Sequence, residues 1–480
     1  MTKFYITTAI PYVNADPHIG NVLDFIYADI QARYHRQSGF DVILSTGTDE
    51  HGSKIAEKAK EAGMTPDKFA DKHTKKFVDL LKLLNVSNDR LIRTTDKGHQ
   101  QRVQIIWKNL SKYIYKGKYS GLYCVGCEEF VTEKVAKANN MMCPIHNRPY
   151  EKLEEENYFF ALSKFTDPIK AAIKDETFKI VPETRKNEIL SLLESGLEDI
   201  SVSRPIDKLN WGIPVPGDSK QVVYVWLDAL LNYITVLGYP EHKDFATYWP
   251  ADMQIIGKDI IRFHAAFWSA ILMALELPLP KLLYVHGMVE SEGQKMSKTI
   301  GNVVAPSDVI DKYGVDAYRY FFARHISSYD DGNFSWDMME AAYNNELANE
   351  LGNAVSRIAA MVGKYQNNVI GDIPPAEHDI HEYQVALEEC RFDRALDVVW
   401  EQVRGVNQYI DTEKPWVINK DGDGAHLWEV LAYSISCLLE IAALIKPFMP
   451  DTAEKIEHIF KDGVVRPLDK SLFPKEESKK

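Results

Sequence analysis

At 480 residues, with 45% hydrophobic and 26% charged side chains, the chain is too long for one ordinary domain and long enough to bury a core without disulfide support. Five cysteines, three of them between Cys124 and Cys143, exclude a disulfide framework and read as a reducing compartment with one local metal site. A formal charge of −13 excludes nucleic-acid binding by net charge, so any such contact rests on a local basic face and specific base contacts.

Met1-Thr2-Lys3 leads straight into a buried-strand pattern over residues 4–10, without the basic start and apolar stretch of a secretory signal. No apolar run is expected to reach the roughly 18 residues of a membrane helix, so the chain reads as cytoplasmic and away from membranes. The first strand ends at Pro11. A loop follows, then an apolar-periodic segment over 19–34, a β-branched run at 41–45, and helices around 53–62 and 66–84. This strand–loop–helix repetition predicts a parallel sheet with helices on both faces. From about 115 to 205, short strands, turn residues and the cysteine cluster replace that pattern, as in an insertion. The α/β pattern resumes with Val222-Val223-Tyr224-Val225-Trp226, Met253-Gln254-Ile255-Ile256-Gly257 and Leu282-Leu283-Tyr284-Val285-His286-Gly287.

Beyond Trp336, apolar residues recur at helical spacing over 341–365, 382–411 and 427–448, with breaks at Pro374-Pro375 and Asp421-Gly422-Asp423-Gly424. The predicted organisation is a Rossmann-like α/β domain in two halves, 1–114 and 206–287, split by an insertion over 115–205. A loop region over 288–340, an all-α bundle over 341–470 and a tail over 471–480 follow.

Two motifs suit phosphate. Pro17-His18-Ile19-Gly20-Asn21 lies between the first strand and the first helix, where free N–H groups and the helix dipole favour an anion. Gly20 admits a close backbone or ligand approach, and His18 and Asn21 are one turn apart. Lys295-Met296-Ser297-Lys298-Thr299 follows the last strand and a mobile-looking loop, Glu290-Ser291-Glu292-Gly293-Gln294. Two lysines three apart can bracket a triphosphate and stabilise charge as it develops. Either motif alone also fits a bland alternative: a capped helix start, or a solvated loop. A third constellation, Cys124-Val125-Gly126-Cys127 followed by Cys143-Pro144-Ile145-His146, has the spacing of a closed tetrahedral Zn2+ site with Cys124, Cys127, Cys143 and His146 as ligands.

Together, in this order and at these places, HIGN at 18–21 and KMSKT at 295–299 resemble the HIGH and KMSKS signatures of the class I aminoacyl-tRNA synthetases. Both departures fall on last positions: Thr299 keeps a hydroxyl, whereas Asn21 keeps donors but cannot be cationic. The text around them is similar to the methionyl branch of that family over essentially the whole chain: Thr8-Ala9-Ile10-Pro11-Tyr12-Val13-Asn14, Gly47-Thr48-Asp49-Glu50-His51-Gly52, Val225-Trp226-Leu227-Asp228-Ala229, Gly257-Lys258-Asp259-Ile260-Ile261-Arg262-Phe263-His264 and Val285-His286-Gly287.

The resemblance implies activation of L-methionine with ATP and its transfer to tRNA(Met), initiator included. It implies catalytic roles for His18, Asn21, Lys295 and Lys298. Gly20, Gly257 and Asp259 would join them in holding ATP, with Mg2+ on the phosphates. Ile10, Tyr12, Trp226, Ala229, Tyr233, Ile260, Phe263 and His264 would line the methionine pocket, which suits a polarizable thioether. Asp49 would take the α-ammonium, with Arg204 orienting Asp49. In the bundle, Asn353, Arg357 and Trp416 match positions that read the CAU anticodon, by base-edge contacts and stacking. For each pocket aromatic, and for Trp416, plain core packing is the alternative. A monomer is expected. The rival readings are another class I synthetase, such as cysteinyl, and a non-catalytic tRNA-binding paralogue; intact Asp49 and Lys298 argue against the latter.

Overall fold

Runs of buried β-branched and aliphatic residues build a six-stranded parallel sheet. Its strands are β1 (Lys3–Thr8), β2 (Asp41–Thr48), β3 (Arg90–Arg93), β4 (Lys179–Val181), β5 (Met253–Gly257) and β6 (Leu282–His286), in the order β3-β2-β1-β5-β6-β4. Ile6 is opposite Leu44 on one side and Met253 on the other, both in parallel register. All five residues of β5 are buried, the mark of a strand covered on both faces. The structure is a computed structural model that describes residues 1–125, 127, 129–131, 133–145, 147–296, 301–376, 378–466 and 470–474. The chain folds into two units, each with its own core. The first comprises Met1–Pro17, Gly39–Lys82 and Ser87–Val285, and the second His18–Ser38, Leu83–Val86 and His286–Lys480.

In the first unit, strand succession runs one way from β1 to β3 and the other way from β5 to β6, so β1 and β5 flank the point where the order reverses. In open α/β sheets that point is where ligand crevices form, beyond the carboxyl ends of the strands. The unit also carries a four-stranded sheet in which Ile114–Cys124 and Glu151–Phe160 run antiparallel from Ile114↔Phe160 to Tyr123↔Glu151. That ladder ends at the cysteine cluster.

Two sequence expectations differ here. Val222-Val223-Tyr224-Val225-Trp226 is not a strand of the parallel sheet: Asp218–Val223 belongs to a small antiparallel sheet, and Val225–Leu230 is a helix. Four of that helix's apolar residues are buried, and an all-buried helix reads like an all-buried strand. Residues 179–181, inside the expected insertion, supply edge strand β4; a three-residue strand beginning with a lysine leaves little pattern to see.

The second unit is mostly helical. Helix Leu23–Gln37 is tied to the C-terminal helices by Arg319, which is fully buried. Its guanidinium contacts Asp29 Oδ2 at 2.7 Å and donates to the carbonyls of Leu84 (3.1 Å), Pro447 (2.9 Å) and Phe448 (2.8 Å). A buried charge is tolerable only with this degree of pairing. The run 382–411 is broken in two, His381–Glu388 and Phe392–Glu413, at Cys390, whose φ is +57°.

The expectation of no long apolar segment fails at Gly424–Ile445, a 22-residue helix apolar enough by length and composition to span a membrane, with 67% of its apolar window buried inside the protein. Leu427, Leu431, Ile435, Leu438 and Ile441 place it in the bundle core, and it carries Glu429 and Glu440. The expected mobile loop at 290–294 is a hairpin: Glu290 pairs with Lys295 and Ser291 with Gln294. Its turn residues Glu292 and Gly293 have φ of +54° and +71°, the sense of twist that two-residue hairpins require.

Candidate active site

The first unit gathers most of the expected pocket at the carboxyl ends of β1 and β5. After β1, Tyr12 forms a parallel bridge with Asp49, which lies just past β2. Asp49 N–H donates to Pro11 O at 2.9 Å, and Val13 N–H donates to Asp49 O at 3.1 Å. Ile10 and Tyr12 are half-buried and Asp49 is 9% exposed. Past β5, Gly257 caps the short turn Lys258–Ile260, which puts Asp259 on the exposed side and Ile260 half-buried. The next residues, Phe263–Trp268, form a π-helical turn, a local widening often found where side chains must be re-aimed at a site.

That turn presents Phe263 to Trp226: the rings stack with centroids 3.8 Å apart and planes 5° from parallel. Trp226 stays half-buried while Ala229, on the same helix, is buried. His264 is fixed as to tautomer. Its Nδ1 lies 3.0 Å from the Ile260 carbonyl, which can only accept, so Nδ1 carries the proton. In the neutral ring Nε2 then accepts the Tyr233 hydroxyl, 2.7 Å away. Tyr233 is itself held where its carbonyl accepts the Tyr5 hydroxyl at 2.8 Å. The result is an aromatic cleft edged by one imidazole, suited to an apolar, polarizable side chain. Arg204 is buried, with its guanidinium carbon over the rings of Tyr123 and Tyr224, 4.8 and 5.1 Å from their centroids.

Residues beside Asp49 that sequence reasoning quoted but gave no role turn out to be heavily bonded. Glu50 is fully buried and accepts from Arg93 at 2.7 and 2.8 Å and from the hydroxyls of Thr48, Thr74 and Thr95. Burial pushes its carboxyl up; those hydrogen bonds outweigh it and hold the group below the ordinary carboxylate range. His51 and His99 both bond Asp228. The available signal was one acidic side chain in an apolar stretch, Val225-Trp226-Leu227-Asp228-Ala229; its partners lie up to 177 residues away.

The HIGN motif belongs to the second unit. His18 caps the turn Ile19–Asn21: its Nδ1 accepts from Gly20 N–H at 3.0 Å, and its own N–H donates to Asn21 Oδ1 at 3.1 Å. Nδ1 is thus the acceptor, and the neutral ring carries its proton on Nε2, a donor suited to phosphate. Asn21 uses its carbonyl oxygen to close the turn. A Cβ on Gly20 would lie 2.8 Å from the His18 ring and 3.0 Å from Met296 Cε, so the two motifs meet at a position with no room for a side chain. Ile19 N–H also donates to Val304 O at 3.1 Å. Lys295 is placed by its strand; Lys298, with Thr299, lies outside the described residues.

Cys124, Cys127 and Cys143 converge, with their sulfurs all within 4.8 Å of one another and Cys127 Sγ 3.5 Å from Cys143 Sγ. Cys127 N–H donates to Cys124 Sγ at 3.4 Å. Burial pushes the Cys124 and Cys127 thiols up, so thiolates need a cation there. The spacing fits the edges of a tetrahedron with Zn–S of about 2.3 Å, and the cluster can hold one metal ion, consistent with zinc. His146, the expected fourth ligand, lies outside the described residues. In the bundle, Asn353 is exposed and Arg357 pairs with Asp411 at 2.7 Å. Asp411 is in the last turn of Phe392–Glu413, which passes through left-handed Lys414 into Pro415–Asp421. Trp416 there is 42% exposed and so is not bundle core.

Comparison with known proteins agrees with this geometry. A family model described as tRNA synthetases class I (M) matches residues 4–152 and 136–359. The methionine–tRNA ligase of Thermotoga maritima is 40% identical over 97% of this chain and 78% of its own length, and that of Streptomyces coelicolor 42% identical over 94% and 88%. A solved structure of Mycobacterium tuberculosis methionyl-tRNA synthetase in complex with methionyl-adenylate superposes with a TM-score of 0.93 at 34% identity, covering 99% of this chain and 100% of that one. Sequence motifs, parallel sheet, aromatic cleft and relatives agree: the chain belongs to the class I tRNA synthetases, in their methionine–tRNA ligase family.

Proposed function

We propose that this chain joins the carboxylate of L-methionine to the α-phosphate of ATP, expelling pyrophosphate, and then moves the methionyl group to the 3′-terminal adenosine of tRNA(Met), initiator included, releasing AMP. The observation that carries the reading is the Trp226–Phe263 stack beside the hydrogen-bonded His264–Tyr233 pair, at the carboxyl ends of adjacent parallel strands. In this reading Ile10, Tyr12, Ala229 and Ile260 complete the side-chain pocket. Asp49 takes the ammonium, with Arg204 orienting it from its place beside Tyr123 and Tyr224. Gly257 and Asp259 receive the adenosine, Asp259 through ribose hydroxyls.

Activation is an in-line displacement that needs positioning and charge stabilisation rather than covalent help. His18 through Nε2–H, with Lys295 and Lys298, would stabilise the charge that builds on the phosphates. Gly20 leaves space for them, and Asn21 shapes the turn. Mg2+ enters with the ATP phosphates. One Zn2+ on Cys124, Cys127, Cys143 and His146 would brace the insertion. Asn353, Arg357 and Trp416 would read the anticodon. The protein would act as a monomer in the cytoplasm.

Charging assays test this. With ATP, Mg2+ and methionine, the purified protein is expected to aminoacylate a tRNA bearing a CAU anticodon. Charging with cysteine and not methionine would overturn the assignment in favour of a cysteinyl enzyme.

A further inference from the structure

A buried His–Asp–His relay lies behind the cleft. Asp228 is 1% exposed, and both of its carboxylate oxygens are engaged. Oδ2 accepts from His51 Nδ1 at 2.6 Å and Oδ1 from His99 Nε2 at 2.7 Å. A carboxylate only accepts, so each imidazole presents an N–H to it. His99 continues the relay through Nδ1 to Thr235 Oγ1 at 2.7 Å, and His51 meets the indole of Trp211 edge-on at 5.3 Å. His51 and His99 are 4% and 2% exposed. Burial pushes the Asp228 carboxyl up, but the two histidines outweigh it and keep the group below the ordinary carboxylate range.

The placement of the three residues says what the relay holds. Asp228 is on the helix Val225–Leu230 between Trp226 and Ala229. Two residues on a helix differ by about 200° in direction, so Asp228 points into the protein while Trp226 faces the cleft. His51 is two residues after Asp49, on the loop that leaves β2. His99 sits on the helix Lys97–Asn109 behind both. Apolar packing would hold a helix to a loop as firmly, but it tolerates sliding. Two charge-assisted hydrogen bonds accepted by one carboxylate fix a distance and a rotation.

We propose that Asp228 is a positioning residue for methionine. Through His51 it clamps the Asp49 loop to the Trp226 helix, and through His99 it anchors that helix to Lys97–Asn109. It thereby fixes the separation between the group that receives the amino acid's ammonium and the aromatic ring that receives its side chain. The inference rests on the methionine-activating reading above.

Steady-state ATP–pyrophosphate exchange tests it, with thermal unfolding recorded for every protein. Asp228→Asn is expected to raise the KM for methionine by about 10-fold to 100-fold, the scale of one hydrogen bond to a charged group, while the KM for ATP stays within about twofold. His51→Ala should behave alike. His51→Asn keeps a donor near the Nδ1 position, and His99→Gln keeps one near Nε2, so both should stay within about threefold of the parent. The His51 pair decides the matter should Asp228→Asn fail to fold. A lowered melting temperature with an unchanged methionine KM would make the relay merely structural and overturn the proposal. So would an equal rise in both KM values, or a failure of His51→Asn to rescue. A parent protein inert with methionine would instead overturn the functional reading itself, before any variant is compared.

Discussion

At the scale of single residues, the site depends on a few side chains held by many others. Trp226 is the clearest case: it is half-buried, stacked on Phe263, and carried by a helix whose remaining apolar residues are core. Removing a packed aromatic costs on the order of 3–5 kcal/mol in cores. Trp226→Ala is therefore expected to raise the methionine KM by at least about 100-fold with little change for ATP, read from exchange kinetics. Acid sensitivity follows from Glu50 and Asp228, both held below the ordinary carboxylate range by their partners. A carboxylate whose folded value is depressed stabilises the fold fully above its unfolded value of about 4 and loses that contribution as the pH falls through the folded value. Stability measured by denaturant titration should thus fall steeply below about pH 4, and Asp228→Asn should show a shallower fall over the same range. An equally steep fall in the variant would remove Asp228 from the account.

At the scale of elements, legibility tracked pattern length. β2, β5 and β6 announce themselves as β-branched or aliphatic runs, and the helices Ser53–Glu61 and Pro66–Leu83 lie within a residue of their predicted ends. What escaped detection was short or ambiguous. β4 has three residues, Val225–Leu230 is apolar enough to read as strand, and Cys390 breaks a helix with a left-handed conformation that cysteine rarely marks. The site divides the same way. Asp49, Trp226 and His264 sit in quotable motifs, whereas the Glu50–Arg93 and His51–Asp228–His99 bonds join residues far apart in sequence. The cysteine cluster was legible because its ligands come in close pairs at the end of one ladder. Metal analysis of the purified protein should find about one zinc per chain. Cys124→Ser should lower zinc content and insertion stability while methionine-dependent exchange persists; exchange lost in step with zinc would give the metal a part in activation.

At the scale of the whole molecule, the HIGN turn, the short strand Gln294–Lys295 and the helical bundle share one unit, and the aromatic cleft belongs to the other. Within the second unit the Arg319 guanidinium links helix Leu23–Gln37, which follows HIGN, to the carbonyls that end the bundle's apolar helix. The bundle itself is acidic, 24 Asp and Glu against 15 Lys and Arg over 341–480, so under the proposed function tRNA choice would rest on particular contacts, with Trp416 the proposed one. A stacking platform is worth about 1–3 kcal/mol per base. Trp416→Ala is expected to lower tRNA charging about 5-fold to 150-fold with exchange near normal, and loss of exchange as well would make the residue structural.

The central claim, that the cleft is built for methionine, is tested most directly by ATP–pyrophosphate exchange run without tRNA across the twenty amino acids. Methionine is expected to drive exchange far above every other amino acid, since the stacked Trp226 and Phe263 rings offer an apolar, polarizable surface beside His264. Stronger exchange with cysteine, leucine or valine than with methionine would contradict the account.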